Sequence, residues 1–189
     1  MAGPALLVVV AQMAQSHALY ATCHAGLLRY LTSAVGYAET ARDLAQDVFV
    51  RVAAADSLPA TDEGQRAWVF HIARNIAIDH HRRQRLRQVE PITAEPITGT
   101  GESADTALIV NQALASLDDV ARDVFLMREM AGLSYTEIAD ACKLTPDAVR
   151  SRIHRARLEL REYLQQPITA ARARPLRAGL TIVRRTSHA

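Results

Sequence analysis

Two helix-start signals lie eleven residues apart, at Ser134 and Thr145, and this spacing constrains the fold more than any other feature. Ser134-Tyr135-Thr136-Glu137 has the capping-box pattern, a Ser cap with Glu three residues later. Thr145-Pro146 is a cap residue followed by Pro at the first helical position. The spacing predicts a short helix through Ala141 or Cys142, a three-residue turn and a second helix, the helix-turn-helix arrangement. Ile138, Ala139, Leu144, Val149 and Ile153 take the buried positions, and the small Ala139 suits two helices that cross closely. Ala156 and Leu160 continue the stripe of the second helix. Its other faces carry Arg150, Ser151, Arg152, His154, Arg155 and Arg157. Arg pairs with guanine edges or phosphates and Ser contacts either, so this helix suits DNA. An ordinary hairpin with a solvated cationic face is the plainer alternative. The caps, Ala139 and the basic helix together favour DNA.

The rest of the chain reads as helix too. Gly (8) and Pro (7) are few, and aromatics make up only 5%, so cores rest on Leu, Ile, Val and Ala. Ahead of the helix-turn-helix, one helix spans Ala104 to Leu117. Another spans Asp118 to Ala131, with Val120, Val124, Met127 and Met130 on one side and Gly132 as its stop. In the first half, Trp68, Val69, Ile72, Ala73 and Ile76 form a stripe along a helix from Arg66 to Arg87. That helix ends in a cationic run, His80 to Arg85, favourable at a helix C-terminus. Ala38 to Ala54 turns Leu44, Val48 and Val52 inward, with Asp43, Gln46, Asp47 and Arg51 on the other face. Ala18 to Val35 turns Leu27, Leu28 and Leu31 inward. Turn formers from Ala55 to Gly64 make a loop.

The predicted fold class is all-α. Two small helical domains, 1–88 and 104–166, are joined by a flexible acidic linker, 89–103, and followed by a basic tail, 167–189. The linker holds Pro91, Pro96, Gly99 and Gly101 among its acids. Net charge over the 189 residues is only +2, but it alternates in blocks. Residues 64–89 carry +5, residues 90–119 carry −6, and residues 167–189 carry +5. Two basic surfaces separated by an acidic connector suit a polyanion held at two places.

Several function classes are excluded on composition. No run reaches the ~18 apolar residues of a membrane span. The apolar run Ala5 to Ala11 is short and lacks a basic leader, and reads as the face of a first helix or a frayed extension. Cys23 and Cys142 match no redox or metal spacing, which fits a reducing cytoplasm. His80 and His81 point about 100° apart on a helix and make no metal site. No nucleophile elbow, phosphate loop or carboxylate pair in an apolar setting is present, so neither enzyme activity nor a cofactor is expected.

Three segments resemble a known family. Ala41-Arg42-Asp43-Leu44-Ala45-Gln46-Asp47-Val48-Phe49 is similar to region 2 of extracytoplasmic-function (ECF) sigma factors, as is the segment from Ala67 to Arg83. Leu133 to Ala139, followed by Val149 to Arg157, resembles region 4. The resemblance covers roughly residues 15–87 and 104–164. It implies that Asp43, Leu44, Gln46 and Asp47 bind core RNA polymerase, through its β and β′ subunits. It implies that Ser57, Asp62, Asn75, Arg82 and Arg83 serve the −10 promoter element. Arg150, Ser151, Arg152, His154, Arg155 and Arg157 would serve the −35 element. An anti-sigma factor, which family members commonly have, is the further partner implied. Lys143 stands where the family usually has Gly. The 55–64 loop lacks an aromatic residue, so base capture there would rest on backbone, Ser57 and Asp62. A stand-alone helix-turn-helix regulator and a helical protein-interaction module are the competing readings.

Overall fold

The structure, a computed structural model, describes residues 4–87 and 102–165. Expectations for most of the linker and for the basic tail lie outside the described residues. Among those described, every regular element is a helix: α1 (Pro4–Val35), α2 (Ala38–Ala53), α3 (Asp62–Arg87), α4 (Glu102–Ser116), α5 (Asp119–Glu129), α6 (Tyr135–Cys142) and α7 (Pro146–Gln165).

Local chemistry sets the helix starts. Asp118 accepts the Ala121 N–H at 2.9 Å at the head of α5. Thr145 accepts the Ala148 N–H at 3.2 Å at the head of α7. The Ser134–Glu137 capping box is complete at the head of α6. Between α6 and α7 the chain turns through Lys143, at φ 55° and ψ 50°, the left-handed conformation that usually favours Gly. Gly132, at φ +72°, follows the end of α5.

Three expectations are corrected. Helix α1 begins at Pro4, well before Ala18, and α4 begins at Glu102, two residues before Ala104. Asp62, expected in the loop, is the first residue of α3. Thr61 accepts the Gly64 N–H at 3.1 Å and starts the helix there, and Asp62 and Glu63 sit in the first turn, where the helix dipole favours acids. The third concerns the stripes. In α3 the fully buried residues are Ala67, Val69, Phe70, Ala73, Ile76 and Ala77, while Trp68 and Ile72 are only partly buried. In α2 the inward residues are Ala41, Ala45, Val48 and Val52, with Leu44 at the margin.

Helices α1–α3 pack into one unit and α5–α7 into another, with α4 against α7. The two units meet along a seam in which α3 packs on α6 and α1 on α5. The seam is polar. Asp123 of α5 accepts the Tyr30 hydroxyl at 3.1 Å and the Arg74 Nε–H at 2.8 Å. Arg29 Nε donates to the Met130 carbonyl at 2.8 Å, and His71 Nδ1 to the Ala141 carbonyl at 2.8 Å. Arg66 faces the Glu137 carboxylate at 3.4 Å. At the same seam a Cβ on Gly26 would lie 3.2 Å from the Ala131 carbonyl oxygen, tighter than an ordinary contact, so any side chain there presses on the turn after α5.

Candidate nucleic-acid and polymerase interfaces

The basic face of α7 is built by burying its opposite stripe. Val149, Ile153 and Ala156 are buried, which leaves Arg150, Ser151, His154 and Arg155 exposed and contiguous on the outer side. Arg150 pairs with Asp147 at 3.1 Å and stands 5.8 Å from the Tyr135 ring centre, so a short network steadies it near the head of the helix. Arg155 Nε donates to the Ser151 carbonyl at a long 3.4 Å. The other two members of the set differ. Arg152 is half-buried. Arg157 donates to Glu129 of α5 at 2.6 Å, and this bond raises its pKa further.

The five residues expected at the −10 element are not brought together. Ser57 is exposed in the loop before α3, and Asp62 is the first residue of that helix. Arg82 and Arg83 are exposed near its other end, about 30 Å away at 1.5 Å per residue. Asn75 lies between them and donates to His71 Nε2 at 3.1 Å. His71 thus bridges Asn75 and the Ala141 carbonyl, one ring nitrogen to each. Arg82 pairs with Asp79 at 3.4 Å.

On α2, Asp43, Gln46 and Asp47 are exposed and share one side, and Leu44 is partly buried against the core. Beside them runs a groove of about 610 Å³ between α1 and α2. Two of its lining residues, Tyr20 and His24, escaped the sequence reading: Tyr20 stacks on His24 at 4.6 Å between ring centres and meets Phe49 at 4.6 Å. Their signal was faint, a Tyr and a His four apart on the helix read from Ala18 to Val35, away from its leucine stripe.

The two cysteines are not poised for chemistry. Burial raises the pKa of both, to about 11 for Cys142. Among the described residues no group of three His, Cys, Asp or Glu side chains converges to hold a metal ion. No helix there is long and apolar enough to cross a membrane.

With this geometry in place, comparison with known proteins identifies the class. The family pattern described as Sigma-70 region 2 matches residues 19–87, the unit α1–α3, and Sigma-70 region 4 matches residues 107–160. The chain belongs to the sigma-70 family of RNA polymerase initiation factors, in its ECF group. It is 31% identical to RNA polymerase sigma factor YlaC of Bacillus subtilis over 155 residues, covering 77% of this chain and 90% of that one. It is 32% identical to ECF RNA polymerase sigma factor SigL of Mycobacterium tuberculosis, covering 82% and 92%. Among solved structures, CnrH in complex with the cytosolic domain of CnrY superposes with TM-score 0.63 at 27% identity, covering 83% of this chain and 95% of that one. RpoE in complex with the anti-sigma factor NepR from Bartonella quintana superposes with TM-score 0.53 at 27% identity, over 84% and 93%.

Proposed function

We propose that this ECF sigma factor divides promoter recognition between two faces and core binding to a third. Arg150, Ser151, His154 and Arg155 of α7 enter the major groove at the −35 element, the docking that helix-turn-helix units use. Arg152 and Arg157 act at the margin of that contact. Asn75, Arg82 and Arg83 of α3, with Ser57 and Asp62 at its head, serve the −10 element. Asp43, Gln46 and Asp47, with Leu44 at their base, bind core polymerase, and the Tyr20–His24–Phe49 groove extends that surface.

The observation that carries this reading is the exposed cationic face of α7 mounted on a capped helix-turn-helix, downstream of a region 2 unit. A stand-alone regulator has no use for that first unit. The protein performs no catalysis of its own and works in the cytoplasm, where core polymerase is. The division into 1–88, 89–103, 104–166 and 167–189 follows the same reading. An anti-sigma factor is its regulator; the two solved relatives above were captured with CnrY and with NepR.

Run-off transcription with purified core polymerase tests the function. The full chain directs initiation at a subset of promoter fragments, and loss of initiation with Asp43→Lys/Asp47→Lys places the core contact on α2. Transcription that never depends on the chain refutes the reading.

A further inference from the structure

The last turns of α3 line a crevice of about 250 Å³, shared with α5 and with Ala34 near the end of α1. Ile78, His81, Arg82, Arg85 and Leu86 lie along it at steps of i, i+3, i+4, i+7 and i+8, the spacing of one helix face. Ala77 and Leu126 are buried at its base. Ile78 is 43% exposed and Leu86 74% exposed, so large apolar side chains face water where the crevice opens. An occupant that covered them would gain by removing that surface from water.

The charges of the crevice do not balance. Three guanidiniums, Arg82, Arg85 and Arg122, meet two carboxylates, Asp119 and Asp123. Both carboxylates are already engaged, Asp119 by Arg122 and Asp123 by Arg74 at 2.8 Å. Arg82 pairs at 3.4 Å with Asp79, which is no part of the lining. Arg85 is exposed and has no ion-pair partner among the described residues. The first turn of α5, the positive end of that helix, forms part of the wall through Asp119. What the crevice lacks is one negative charge, set beside uncovered apolar surface.

We propose that this crevice is a binding site for a small amphipathic monocarboxylate, with the carboxylate on Arg85 and the apolar body over Ile78, Leu86 and Leu126. A guanidinium matches a carboxylate with two parallel N–H donors, which fixes the orientation of the acid. At ~30 Å³ for each water-sized portion, the space holds about eight of them, and this suits an acid of about ten non-hydrogen atoms, such as octanoate. A bare inorganic anion would satisfy Arg85 and leave the apolar side chains uncovered. The site is separate from the α7 face and from the acids of α2, and it makes the chain a receptor for a free organic acid.

Titration calorimetry of the full chain with octanoate tests this. We expect one site per chain. Acetate has the charge without the body and octan-1-ol the body without the charge, and each should bind at least about tenfold more weakly. Arg85→Ala should weaken octanoate by about tenfold or more. Leu86→Glu should do the same, because it removes apolar cover and sets a negative charge beside the site. Both residues are exposed, so circular dichroism should show the helical content of the unaltered chain in each variant. Arg83→Ala, exposed on the same helix but outside the lining, should bind octanoate as the unaltered chain does. Absence of octanoate binding overturns the proposal, and so does equal affinity for acetate, inorganic phosphate or octan-1-ol. Equal losses in Arg85→Ala and Arg83→Ala also overturn it, since they would reveal attraction to the positive charge of the helix end alone.

Discussion

Ser134 and Glu137 cap one helix from opposite directions. The Ser134 N–H donates to Glu137 Oε2 at 2.7 Å, and the Glu137 N–H donates to Ser134 Oγ at 3.2 Å. The other Glu137 oxygen faces Arg66 across the seam, so one carboxylate both starts the helix-turn-helix and ties it to α3. Ser134→Ala removes one half of this exchange and is expected to cost about 1 kcal/mol. Urea denaturation of the full chain measures it. No shift in the midpoint would mean that Glu137 alone suffices.

Lys143 is the one non-glycine residue at positive φ among those described. A left-handed L-residue costs roughly 1–2 kcal/mol, and a glycine gives back part of this in unfolded-chain entropy. Lys143→Gly is therefore expected to stabilise the protein by about 0.5–1 kcal/mol. A β-branched replacement, Lys143→Val, should go the other way. Paired thermal melts separate the two signs.

His81 gives the seam a pH dependence. Its Nε2–H donates to the Ala34 carbonyl at 3.1 Å, in a crevice of about 250 Å³ between α3 and α5. Burial lowers its pKa from 6.5, and Arg122 of α5 pushes the same way, as do His80 and Arg85 on its own helix; the Ala34 bond opposes them. Arg82 and Asp119 line the same crevice, with Asp119 paired to Arg122. The folded pKa lies below the unfolded one. Between the two, the unfolded chain holds more protons, and stability rises with pH. The contribution is complete above about 6.5 and is lost as pH falls from there toward the folded value. Asp123, whose pKa burial raises from 3.8, has the opposite sign and acts upward from that value. Melting temperature should drop on going from about pH 7.5 to 5.5, and His81→Gln, which keeps a donor but does not titrate, should flatten the slope. Parallel profiles for the two proteins would remove His81 from the account.

The arginines of α7 should separate by their partners. Arg150 and Arg155 face outward, whereas Arg157 is held by Glu129. Replacing a base-reading Arg with Ala should cost ~1–3 kcal/mol and relax preference at one promoter position. Replacing a phosphate-binding Arg should weaken all sequences alike and lower the salt slope by about one. Arg157→Ala should do less than either. Titrations of −35 duplexes at several salt concentrations read all three, and an Arg157 effect exceeding the others would reverse the orientation of the helix.

What was legible in the sequence was local. Asp118, Ser134 and Thr145 mark helix starts because their side chains bond N–H groups three residues away. The helix-turn-helix and the exposed acids of α2 follow from such marks and from helical period. The seam was not legible, because Tyr30 and Asp123 are 93 residues apart and nothing near either announces the other. The same cause explains α3. Packed on α1 and α2 on one side and α6 on the other, it buries a wider arc than a single stripe. Phe70 and Ala77 therefore go inside, Trp68 stays at the margin, and Arg74, which is no part of the predicted stripe, is only 18% exposed. The −10 set was named residue by residue from resemblance, and its members are spread from the loop before α3 to near that helix's far end.

Gly26 makes the fit of the two units depend on a single codon. Every glycine codon becomes an alanine codon by one nucleotide change, and that change would add one methyl group where the Ala131 carbonyl now sits 3.2 Å from the place of a Cβ. The substitution would improve the helix that carries it while pressing on the neighbouring unit. The tightness of the seam is thus open to inheritance in small steps, independently of the residues that read DNA or bind polymerase.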